Sequence, residues 1–61
     1  MKSTAAMAVY RAVYNGLMYA GCTMDKSYVW GKKALLRYGR NEFETPQLLI
    51  EQMIEEGSNA S

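Results

Sequence analysis

Histidine is absent from this chain, cysteine occurs once, and no apolar run is long enough to cross a bilayer, which takes about 20 mostly apolar residues. Each absence closes a class of function. Without imidazole there is no side chain whose ordinary pKa suits acid-base catalysis at neutral pH, and Cys22 alone cannot assemble a zinc set. The same lone thiol forms no disulfide within the chain and has no imidazole to activate it as a nucleophile. A glycine-rich phosphate loop is also missing. Glu42 and Glu44 are close in sequence, but they fall on a connector without a matching acid or ligand and read as solvated side chains. The expectation is a protein that is not an enzyme and that uses no cofactor and no metal. No alternating β-branched run of useful length occurs, so strands are not expected either, which leaves an all-α fold.

Size sets the next constraint. A single domain of 61 residues buries only about 60% of the surface its unfolded chain exposes, so its stability is marginal. With disulfides and metals excluded, self-association or a partner is the remaining support. Seven Lys and Arg against six Asp and Glu give a net charge of +1, which marks neither a nucleic-acid binder nor an acidic mimic of DNA. Local charge is less even: Lys26, Lys32, Lys33, Arg37 and Arg40 occupy the middle, and Glu42, Glu44, Glu51, Glu55 and Glu56 the end.

The stretch "GLMYAGC", residues 16 to 22, has the outline of a lipoprotein cleavage site. A signal of that kind needs an uninterrupted apolar core, however, and Arg11 and Asn15 fall inside it. Tyr19 also stands where such signals place Leu. The expectation is therefore a cytoplasmic protein with a free thiol, in which Gly21 ends a helix in the left-handed conformation.

Three helices follow from the periodicity, at about 4–20, 25–38 and 46–56. Ser3 or Thr4 caps the first, Thr23 or Asp25 the second, and Thr45 the third with Pro46 at its first position. Gly21, Gly39 and Gly57 are the expected stops. On the first helix Ala6, Val9, Val13, Leu17 and Ala20 form an apolar stripe, which Met7, Tyr10, Tyr14 and Met18 widen. Only Thr4, Arg11 and Asn15 remain as a polar strip, roughly 80° wide. The second helix turns Ser27, Tyr28, Gly31, Ala34, Leu35 and Tyr38 inward. The third carries the clearest stripe, Leu49, Ile50, Met53 and Ile54. Phe43 folds from the 39–44 connector onto the core, and residues 58–61 form a disordered tail after a single domain over 1–57.

Two functional readings compete. Five Met, five Tyr and one Trp are residue types that adapt to or anchor interfaces, and the first helix carries more apolar surface than two short neighbours should enclose. This points to a small interaction factor, an inhibitor or adaptor of the kind phages and plasmids carry, docking on a larger protein through Tyr10, Tyr14, Met18, Tyr19, Trp30, Lys33 and Arg37. Val29 and Leu36 add a second apolar patch on helix 2. The row Ala8, Ala12, Gly16, Ala20 sets a small residue at every fourth position, which suits close contact with a second copy in a homodimer. The alternative is a helix-turn-helix DNA-binding regulator, with Lys26, Lys33 and Arg37 meeting phosphates and Trp30 stacking. Leu17 and Ser27 depart from that motif at its tiny and its aliphatic position. The acidic third helix, moreover, can neutralise the basic stripe within the chain.

Overall fold

The computed structural model describes residues 4–60. These form three helices and no strand: α1 (Thr4–Tyr19), α2 (Met24–Gly39) and α3 (Pro46–Asn59). Ser3 and Ser61 lie outside the described residues, and with them one candidate cap and the last tail residue.

The helix ends follow from specific residues. Gly21 has φ +95°. Its N–H donates to the Met18 carbonyl at 3.0 Å, and the Cys22 N–H donates to that of Leu17 at 3.0 Å. This double closure satisfies carbonyls the helix leaves open, and the left-handed residue it needs is the one glycine adopts without strain. Thr23, not Asp25, caps α2 by accepting the Lys26 N–H at 3.1 Å. Thr45 accepts that of Leu48 at 3.1 Å, with Pro46 in the first helical turn.

Two of the expected glycine stops do not act as stops. At the end of α2 the left-handed residue is Asn41, φ 58°, and Gly39 is the last helical residue before it. The N–H groups of Asn41 and Glu42 donate to Tyr38 and Arg37 at 3.2 and 3.0 Å, repeating the closure of α1 one helix later. Asparagine is the residue that tolerates this region best after glycine. At the other end, α3 passes through Gly57 to Asn59, so Ser58 and Asn59 are helical and do not belong to a frayed tail. The extension has a partner: the Lys26 ammonium donates to the Ala60 carbonyl. α3 has no basic residue in its own last turn, and α2 supplies the cation that its C-terminal dipole favours.

Val9, Val13 and Leu17 of α1, Ala34 of α2, and Leu49 and Met53 of α3 make the core, with Cys22, Trp30, Tyr38, Phe43, Ile50 and Ile54 packed against it. Phe43 does fold back, stacking on Tyr38 with centroids 5.0 Å apart. Each interhelix seam is set by one glycine that admits a bulky side chain from its neighbour. A Cβ on Gly31 of α2 would lie 2.8 Å from the Tyr10 ring and 3.4 Å from the Tyr10 carbonyl oxygen. One on Gly57 of α3 would lie 2.9 Å from Leu17 and 3.1 Å from Trp30, and one on Gly16 of α1 would collide with the end of Ile54. Gly57 is thus buried as a packing position, which explains why the helix runs through it.

The Tyr10–Gly31 contact also fixes how α1 and α2 meet. Tyr10 stands about 13 Å and Gly31 about 10 Å along their helices from the turn. Helices crossing at 90–120°, as in a helix-turn-helix, would hold such positions roughly 12–17 Å apart. Backbone-level contact there means that α1 and α2 run alongside each other as an antiparallel hairpin.

Candidate functional site

The residues singled out in the sequence divide between the two flanks of α2. Tyr28 and Trp30 sit roughly 160° apart around that helix, and each gathers a different set of neighbours.

On the α1 side, Tyr10 stacks on Tyr14 with ring centroids 6.0 Å apart and meets Tyr28 edge-on at 6.3 Å. Tyr28 is half exposed, although its position suggested an inward side chain. Met7 and Met18, both 38% exposed, extend the aromatic group along α1, and Met24, 65% exposed, lies at the start of α2. Met7, Arg11, Tyr14 and Met18 follow one another at intervals of four, three and four residues. That spacing keeps them in a narrow line on one side of a helix. Lys32 borders the group with its ammonium 5.3 Å from the Tyr28 ring centroid and 3.4 Å from the Tyr28 hydroxyl. Tyr19 is 95% exposed, but it turns about 100° away from Met18 and does not join this surface.

On the α3 side, Trp30 is half-buried against Gly57, and the Lys33 ammonium stands 4.1 Å over its ring. Lys33, Arg37 and Trp30 do come together here. With Leu36, Arg40, Met53 and Glu56 they line a groove of about 290 Å³. Arg37 lies across its floor, donating to the Met53 sulfur at 3.3 Å and to the Glu42 carbonyl at 3.4 Å. Val29 and Leu36 are 47% and 55% exposed, as their position on the outer side of α2 requires.

The expected neutralisation of the basic stripe by α3 does not take place. Among the described residues no lysine or arginine comes within 4.0 Å of a carboxylate oxygen. Lys26, Lys32, Lys33 and Arg37 instead engage aromatic rings, carbonyls, a phenol oxygen and a thioether. Those contacts hold the side chains in place at modest gain, about 0.5–1 kcal/mol for an exposed cation over a ring.

The small-residue row of α1 is partly used inside the chain. Gly16 receives Ile54 and Ala12 is half-buried, whereas Ala8 and Ala20 are exposed at either end. The packing reason for a mid-helix glycine is therefore met by α3 of the same molecule.

Met7, Met24, Tyr28 and Arg40 belong to these surfaces and were not picked out as site residues in the sequence. Arg40 was legible, since it follows Lys33 by seven residues on the same side of α2. Met24 was not, because its exposure depends on where the preceding turn points it. Among the described residues no group of three or more Cys, Asp or Glu could hold a metal ion, and no helix is long and apolar enough to cross a membrane. Comparison with protein-family models, with curated proteins and with solved structures gave no match.

Proposed function

We propose that this chain is a small non-catalytic interaction factor, an inhibitor or adaptor, which docks on a larger protein through the α1/α2 flank. The supporting observation is the aromatic and methionine surface on which Met7, Met18, Met24 and Tyr28 are exposed around the half-buried Tyr10 and Tyr14, four of the eight large apolar side chains the fold leaves exposed among the described residues. Rigid tyrosines supply contact area at little entropic loss, and methionines adapt to the shape opposite. Arg11 and Lys32 at its margin favour a partner with acidic residues around an apolar centre. A standard interface of about 800 Å² per side would occupy about a fifth of the 4290 Å² surface.

The 4-3-4 spacing of Met7, Arg11, Tyr14 and Met18 also suits a second copy, so a homodimer of the free protein would occupy the same line and compete with the larger partner for it. The DNA-binding alternative takes second place. It asks for crossed helices where these run side by side, and a carboxylate of α3, Glu56, borders the cations of α2.

The test is affinity capture with wild-type and variant baits, identified by mass spectrometry, together with light scattering of the free protein. A partner held by the wild type should be lost with the Tyr14→Ala, Met18→Asp double variant, at about 2 kcal/mol or more for such anchor positions, and kept with Lys33→Ala. A complex indifferent to the double variant would remove the α1/α2 flank from consideration. Duplex DNA retained at physiological salt and released steeply as salt rises, with Lys33→Ala weakening it, would favour the regulator.

A further inference from the structure

We infer that the groove around Trp30 is a second binding site, separate from the α1/α2 flank, and that its ligand is an acidic peptide segment carrying one apolar side chain. The charge around the groove is one-sided. Lys33, Arg37 and Arg40 converge on the groove against a single carboxylate, Glu56, and among the described residues none of the three cations is within 4.0 Å of a carboxylate oxygen. A ligand bearing two or more carboxylates would supply what the fold does not.

Shape adds the apolar requirement. Leu36, 55% exposed, and Trp30 both line the groove, and Met53 closes the floor. At about 290 Å³ the groove is at or below the small end of small-molecule sites, which run from about 300 to 1,000 Å³. It has room for one anchoring side chain of a longer segment. The contacts of Arg37 with Met53 and Glu42, and of Lys33 with Trp30, fix those cations in advance, so little side-chain freedom is lost when a ligand arrives.

The neighbouring cleft selects between classes of polyanion. On its α3 side Trp30 borders a second depression lined by Gln52, Glu55, Glu56 and Asn59. A nucleic acid carries a phosphate at every step and would bring charge against those glutamates. A peptide can place its acids on the α2 side alone, and this favours the peptide.

Trp30 is the only tryptophan, so its emission reports directly on the groove. The experiment titrates the full chain with a short synthetic peptide of Glu and Ala containing one central Leu. Controls are its Lys-for-Glu counterpart and a single-stranded oligothymidylate. The acidic peptide should shift the emission saturably and the basic peptide should not. Lys33→Glu or Arg40→Glu, both exposed positions whose fold is checked by circular dichroism, should weaken binding about tenfold or more. The Tyr14→Ala, Met18→Asp variant should bind the acidic peptide as the wild type does, whatever becomes of the α1/α2 reading. No saturable shift, tighter binding of the oligothymidylate, or loss of peptide binding in the Tyr14, Met18 variant would each overturn the inference.

Discussion

The two flanks of α2 use the same kinds of residue in opposite ways. Toward α1, aromatic rings contact one another and the cations stand at the margin. Toward α3, a single ring lies among cations and the apolar atoms form the floor. The first flank offers area, which any partner of matching shape can cover. The second offers a small number of directed charges, which only a ligand of matching chemistry satisfies. A helix of 16 residues thus separates a surface suited to broad contact from one suited to selective recognition. If both are occupied at once, the chain is an adaptor and not an inhibitor.

Each flank rests on a glycine seam, and alanine at the seam separates the two. Gly31→Ala should have the largest effect. Its methyl group meets the firm edge of the Tyr10 ring with the Tyr10 carbonyl just behind, so the helices must part. Overpacking of that sort costs about 1–3 kcal/mol, beyond the gain of about 1 kcal/mol from replacing a mid-helix glycine. Urea denaturation should show a clear net loss, and tyrosine packing should be disturbed before Trp30 emission changes. Gly57→Ala should follow closely, at about 1–2 kcal/mol net, because the methyl group meets both methyl carbons of the buried Leu17 and the root of the Trp30 ring but no backbone atom, with Trp30 emission now altering in the folded state. Gly16→Ala should be smallest, within about 0.5 kcal/mol of wild type. There the obstacle is the free end of the half-buried Ile54, and the propensity gain offsets its displacement. A reversed order of midpoints would show that the seams, and with them the contrast between flanks, are drawn wrongly.

The number and class of elements were legible because local signals agreed. Thr23 and Thr45 have the short hydroxyl that accepts an amide two or three residues on, and Gly21 stands where a left-handed residue must follow α1. The places where the sequence misled are those where tertiary contact overrides a local rule. Gly57 resembles a stop, yet it is buried beneath Leu17 and Trp30, and the helix continues to a carbonyl held by Lys26, a residue far away in sequence. Gly39 has the same outward character, but the chain turns two residues later at Asn41. The division of the candidate site had no local signal at all. Tyr14 and Trp30 both mark exposed aromatic surface in the sequence, and only the antiparallel packing of α1 on α2 sets them on separate flanks. The surplus of apolar surface on α1 was overestimated as well, since Tyr10 is half-buried against α2 and Tyr14 half-buried beside Tyr10.

The clasp between Lys26 and the Ala60 carbonyl carries a practical corollary. Ala60 lines a hollow shared with Trp30, so whatever polypeptide continues beyond it departs next to the tryptophan. An affinity handle fused at that end would start from the hollow on the other side of Trp30 from Lys33 and Arg40, so the tryptophan emission of a tagged bait should be compared with that of the untagged chain.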